Sequence, residues 1–291
     1  MTTMDAIRII NEYYENSNPD TEDMFAFTEA LGLMIEQTKD PKYMTELAWH
    51  YCSTQRFDLE KKYLEMAAES GDTGAMVELG YMWYYGQHGE VDYEKAFVYF
   101  SKGAEAGNLW AKYKVADMYR FGLAVKPDEE EYRRRIQSAY EEVRTAKLLG
   151  DPYPEIAYRW ADILTAEGDS DTATDLLKQA KRFMARRLSV EPFWGHIEVM
   201  ERIVRRLYDH TSWDPDRLDL YDLFGRKGAS GEYVFWWRGR EHRLAITEPD
   251  GAVNLDGTWF RSYREFCEKA QIEGEKCTAI YDELYNWEVV A

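Results

Sequence analysis

Ala75-Met-Val-Glu-Leu79-Gly80-Tyr81-Met82-Trp83-Tyr84-Tyr85-Gly86 opens the stretch that decides how this chain folds. After a short turn it continues as Asp92-Tyr-Glu-Lys95-Ala96-Phe-Val-Tyr99-Phe100-Ser-Lys102-Gly-Ala104-Glu105-Ala-Gly107. Thirty-six residues beyond Ala75, Leu79, Gly86 and Asp92 stand Ala111, Val115, Gly122 and Asp128. Thirty-six residues before Ala104, Glu105 and Gly107 stand Ala68, Glu69 and Gly71. A fixed period of this length means stacked helical hairpins, none of which can bury its apolar face alone.

Each half of the unit has a helical stripe. With Leu79 at its centre, Ala75, Met76, Met82, Trp83 and Gly86 fall on one face at 100° per residue. Ala and Gly there let neighbouring helices approach closely, while Leu and Trp fill the seam. In the second helix Ala96, Tyr99, Phe100 and Ala104 recur at three and four. Asp92 and Asp128 stand where N-caps belong, and Gly107 where a left-handed residue stops a helix.

These residues resemble the Sel-one-like repeat, a relative of the tetratricopeptide repeat. Ala75, Leu79, Gly80 and Gly86 meet the first half of its pattern, with Trp83 at a tyrosine position. Asp92, Lys95, Ala96, Tyr99, Phe100, Lys102, Ala104, Glu105 and Gly107 meet the second half. The next unit supplies Ala111, Tyr119, Gly122 and Asp128, and the preceding one Leu47-Ala48 and Ala67-Ala68-Glu69-Ser-Gly71 across a shorter turn. The resemblance is specific over residues 43–128. It implies a mostly α fold, an αα-hairpin repeat solenoid like a tetratricopeptide superhelix.

Taken in order, Met4 to Glu15 and Thr21 to Gln37 read as two capping helices over the first repeat, the second capped by Asp20 or Thr21. Residues 42–71, 74–107 and 110–148 read as three hairpins. A fourth follows from Asp151, with Trp160-Ala161-Asp162-Ile163 echoing Val115-Ala116-Asp117-Met118, and Asp171 to Leu188 as a basic helix broken at Val190-Glu-Pro. Trp194 to Tyr208 closes the helical part. Domain boundaries are expected at 1–40 for the cap, 41–210 for the solenoid, 211–231 for a connector and 232–291 for a small α+β module. In that module 232–238 and 240–248 read as strands joined at Gly239, with turns at Asp250-Gly251 and Asp256-Gly257. Ser262 then caps a helix through Ala270, and a helical turn and a strand close the chain.

Asp250-Gly-Ala-Val-Asn-Leu-Asp256-Gly257-Thr-Trp-Phe260-Arg-Ser262-Tyr-Arg-Glu-Phe266, with Trp287 as a late tryptophan, resembles the modules associated with restriction adenine methylases. That resemblance implies a contact with modified DNA.

The net charge of −18 over 291 residues favours solubility and disfavours anionic membranes and nucleic acid backbones. Three cysteines, Cys52, Cys267 and Cys277, are too few and too scattered for a disulfide framework, and the five histidines show no ligand spacing. No metal or cofactor is expected. No basic and apolar leader and no membrane-length apolar run is present, so a cytoplasmic protein is expected. Nucleophile elbows, phosphate loops and metalloprotease helices are absent, and the reading is a non-enzymatic one.

In a curved helical solenoid the first helix of each hairpin lines the concave face. Positions opposite its packing seam are therefore candidate contacts. These are Trp49, Glu78, Tyr81, Tyr84, Tyr85, Tyr113, Lys114, Asp117, Arg120, Phe121, Tyr158 and Arg159. Tyr, Trp and Arg bury much area at low entropic cost, as interface anchors do. The same aromatics could equally pack on neighbouring helices. Arg133-Arg-Arg135 reads first as a solvated face paired with carboxylates. For Trp236-Trp237, strand alternation turns one ring inward whatever the other does. Three functions stay open: a scaffold binding a protein or peptide, a modified-nucleic-acid reader through 232–290, and an acidic inhibitor of a basic partner.

Overall fold

The computed structural model describes residues 1–16, 19–87, 89–145, 152–190, 194–210, 231–247, 252–278, 281 and 284–290. The expected connector over 211–230, the turn at Asp250-Gly251 and the helix break at 191–193 lie outside the described residues. So does most of the helical turn before the last strand. Two compact units divide the chain, Met1–Ala139 and Tyr140–Ala291.

The first unit is built from antiparallel helix pairs. Helices α1 (Thr3–Glu15) and α2 (Thr21–Thr38) each begin in a capping box, Thr2 with Asp5 and Asp20 with Asp23. Helices α3 (Pro41–Ser53) and α4 (Phe57–Glu69) pack together, as do α5 (Thr73–Tyr85) and α6 (Tyr93–Glu105). Helices α7 (Leu109–Phe121) and α8 (Glu129–Thr145) follow. The expected caps form. Asp92 accepts from the backbone of Lys95 at 3.0 Å, and Asp128 from that of Glu131 at 2.9 Å. Gly107 takes φ +92° immediately after α6, where a side chain would strain the backbone.

The seam is made by the stripe residues. Ala75, Leu79, Ala96, Phe100, Ala111 and Val115 are all buried. Burying Phe100 contributes about 1.5–3 kcal/mol, and its close approach depends on Gly80. Trp83, at the family's tyrosine position, lies between two ammonium groups. Lys61 Nζ is 4.7 Å and Lys95 Nζ 4.0 Å from its ring centroid, so α4, α5 and α6 meet there.

In the second unit α9 (Tyr153–Ala166), α10 (Ser170–Val190) and α11 (Trp194–His210) pack on one another. Arg187 donates to the buried Glu155 at 2.8 Å, joining α10 to α9. Arg206 of α11 grips Asp162 of α9.

A five-stranded antiparallel sheet follows. Strands β1 (Gly231–Trp237), β2 (Arg240–Ile246), β3 (Val253–Leu255), β4 (Thr258–Phe260) and β7 (Tyr285–Val290) lie in the order β4-β3-β2-β1-β7. Helix α12 (Tyr263–Lys269) starts at Ser262, whose hydroxyl accepts from Glu265. Strands β5 (Gln271–Ile272) and β6 (Glu275–Lys276) form a second small hairpin.

Three two-residue turns share one chemistry. Arg238-Gly239, Asp256-Gly257 and Glu273-Gly274 all have both residues at positive φ, the mirror-image turn that matches strand twist. Alternation puts Tyr233, Phe235 and Trp237 inside, while Trp236 is half-buried.

Candidate functional site

Three equivalent helices carry the candidate surface. Asp40, Asp72 and Asn108 cap α3, α5 and α7, each accepting from a backbone N–H of the first turn. Counting from those caps puts α3, α5 and α7 in register. The sixth position is Glu46, Glu78 and Lys114, and the ninth is Trp49, Tyr81 and Asp117. The twelfth is Cys52, Tyr84 and Arg120, and the thirteenth Ser53, Tyr85 and Phe121. The row at the sixth position thus changes from carboxylate to ammonium along the stack.

Exposure sorts the candidates. Trp49, Tyr85 and Phe121 are open to solvent at 59%, 54% and 61%. Glu78 is exposed, and Tyr81, Tyr84, Lys114 and Arg120 are half-buried. Tyr113, Asp117, Tyr158 and Arg159 are buried. Arg159 donates to the backbone carbonyl of Glu155 at 2.7 Å, and its guanidinium lies 4.6 Å from the Tyr158 ring. Tyr158 and Arg159 belong to the second unit.

Around Lys114 four tyrosines converge. Its Nζ lies 4.9 Å from the ring centroid of Tyr81, 5.3 Å from Tyr84, 5.7 Å from Tyr113 and 5.8 Å from Tyr85. A cation at that range is attracted by the negative faces of the rings. Tyr81 and Tyr85 stack at 5.9 Å, one helical turn apart, and the hydroxyls of Tyr81 and Tyr113 are 3.4 Å apart. Phe100 meets Tyr81 edge-on at 5.3 Å, so the outer ring system rests on the core. Arg120 is steered differently, with Nη1 donating to the buried Tyr132 hydroxyl at 3.2 Å.

Beside the tyrosines lies an acidic stretch. The Cys52 thiol donates a hydrogen bond to the Glu60 carboxylate. Burial, then that bond, then the charges of Glu60 and Glu78 push the thiol up to about 11. Glu78 is open to solvent yet walled by neighbouring helices. Desolvation first and the charge of Glu60 second raise its pKa above 4.5. Sequence spacing alone did not single out Glu60, which is buried on the second helix of its hairpin.

Among the described residues no cluster of three or more His, Cys, Asp or Glu could hold a metal ion. No helix there is long and apolar enough to cross a membrane.

The model of the Sel1 repeat family matches residues 61–72, 73–108 and 111–131. Residues 61–131 carry Sel1 repeats. The match runs from within α4 to the first turn of α8, so Glu78, Tyr81, Tyr84, Tyr85, Lys114, Arg120 and Phe121 stand inside Sel1 repeats and Trp49 lies on the helix before α4. Among solved structures, a Sel1 repeat protein from Oxalobacter formigenes is similar at 19% identity and TM-score 0.54. The alignment covers 74% of this chain and 83% of that one. A protective antigen present in uropathogenic Escherichia coli strains, displaying an SLR fold, aligns at 18% identity and TM-score 0.44. That alignment covers 70% of this chain and 52% of the antigen. No curated protein matches the chain. Sel1 repeats typically form protein-interaction scaffolds and are generally non-catalytic.

Proposed function

We propose that the first helices of the hairpins, α3, α5 and α7, form the concave face of a non-enzymatic scaffold that binds a protein or peptide partner. The observation that carries this reading is the exposure of Trp49, Tyr85 and Phe121 on three successive first helices. Large rings left in water on successive helices are costly unless something covers them, and such rings dominate interface energetics. Glu78, Tyr81, Tyr84, Lys114 and Arg120 would add the polar and half-buried contacts between them. Tyr113 and Asp117 would act from behind, holding the surface rather than touching the partner. Buried Tyr158 and Arg159 are left out of the contact set.

Affinity capture with mass spectrometry tests the reading. The full chain would be compared with the Trp49→Ala, Tyr85→Ala, Phe121→Ala triple variant. All three side chains are surface-exposed, so folding should survive. Loss of the captured partner supports the concave face, and full retention rules it out. The net charge of −18 favours a second reading, an acidic inhibitor of a basic protein. A charge-led complex would weaken steeply between low and high salt, whereas one led by aromatic burial would not.

A further inference from the structure

In a chain this acidic, three cations nevertheless line one cavity. It measures about 210 Å³ and lies between α6, α7 and α8. Lys112 comes from α7 and Arg134 and Arg135 from α8, with Ser101 and Glu105 of α6 and Ser138 of α8 completing the wall. Every one of these residues belongs to the first unit.

Glu131 fixes the arginines in place. Arg134 donates to it through Nε and Nη2, both at 2.7 Å, and Arg135 Nε stands 2.7 Å from the same carboxylate. The Arg135 guanidinium also lies 5.0 Å from the Tyr119 ring centroid, which holds its plane. One carboxylate therefore orients two guanidinium groups and neutralises the charge of one. Each guanidinium group still carries N–H donors beyond those that face Glu131, and Ser101 and Ser138 bring hydroxyls to the same wall. Such forks are shaped for the oxygens of a tetrahedral oxyanion. The volume falls below the roughly 300–1,000 Å³ of pockets for drug-sized ligands, and suits a single anionic group.

We propose that this cavity binds a phosphoryl group, held by Arg134, Arg135 and Lys112 with the two serine hydroxyls. Glu105, exposed at the wall, works against the anion and limits its affinity.

Isothermal titration of the full chain at fixed ionic strength tests this, with inorganic phosphate in one arm and a glycine-flanked phosphoserine peptide in the other. Saturable one-to-one binding is expected in at least one arm. Arg135→Gln should weaken it about tenfold or more, the loss of one charge-assisted contact. Glu105→Gln, at an exposed position that leaves folding intact, should tighten it about two- to threefold by removing a like charge. Equal affinity in both arms assigns the site to free phosphate, and a peptide at least tenfold tighter assigns it to a phosphorylated segment. Failure of both probes to saturate, or binding unmoved by either substitution, overturns the proposal.

Discussion

The ring of Phe100 fills the space where a β-carbon on Gly80 would stand, with two ring carbons 2.5 Å from that position. Gly in a helix interior ordinarily destabilises by about 0.5–1 kcal/mol relative to Ala. At Gly80 the added methyl must push a fully buried ring out of the seam. Gly80→Ala is therefore expected to destabilise by about 1–3 kcal/mol, the range for overpacking a core. Gly32, inside α2, has no atom within 4 Å of its own β-carbon position, so Gly32→Ala should stabilise by about 0.5–1 kcal/mol. Urea denaturation of both variants checks the opposite signs.

Glu78 supplies a prediction about pH. Its folded-state pKa lies above 4.5, so the folded protein holds that proton more tightly than the unfolded chain does. The stabilisation linked to it is fully present below about 4.5 and is lost as pH rises through the raised value. Glu78→Gln, fixed in the neutral form, should match the parent in acid and melt higher at neutral pH. Thermal melts at a series of pH values read the difference, which must grow with pH. A constant offset, or one that grows in acid, contradicts the assignment.

Cysteine chemistry follows from the same corner. Cys52 is exposed, Cys267 and Cys277 are buried, and all three are free thiols. With the Cys52 thiol pushed up to about 11, only about one molecule in a thousand carries a thiolate there at pH 8. Native protein should react sluggishly with a disulfide reagent at pH 8, and tenfold faster per pH unit until about 11. Glu60→Gln should hasten the reaction, while unfolding in urea should release all three thiols at once.

The repeat was legible because its physics is periodic. Ala75, Leu79, Ala96 and Phe100 announce a seam by spacing, Asp92 and Asp128 announce helix starts, and Asp256-Gly257 announces a hairpin turn. All of these can be read from one chain because each depends on near neighbours. Exposure was less legible. Tyr113 and Tyr85 both belong to the face opposite the seam by angle, yet one is buried and the other open. Helical angle fixes direction but not what stands in that direction, and Tyr113 has the Tyr81 hydroxyl at 3.4 Å, the Trp110 ring at 5.7 Å and the Lys114 ammonium at 5.7 Å beside it. The spacing of Arg133-Arg-Arg135 pointed to a paired, solvated face, and Glu131 does pair two of those arginines. The cavity beside them arises from Ser101 and Lys112 on other helices, a relationship that no local pattern encodes.

Lys114 and Tyr81 allow the ring system to be weighed directly. The ammonium lies 4.9 Å from that ring centroid in a half-buried setting, where a cation–π contact contributes about 0.5–1 kcal/mol, and more when desolvated. Single substitutions would mislead, because Lys114→Met disturbs four rings and Tyr81→Leu also loses the Tyr113 hydroxyl contact and the edge of Phe100. Each of those extra losses appears again in the double variant and cancels in a double-mutant cycle. Urea denaturation of Lys114→Met, Tyr81→Leu and their combination should therefore return a coupling of about 0.5–1 kcal/mol favouring the pair. That coupling should change little between low and high salt, since the half-buried rings rather than surface charges supply the attraction. A coupling near zero would mean that Lys114 is held by its other neighbours and that the tyrosines merely surround it.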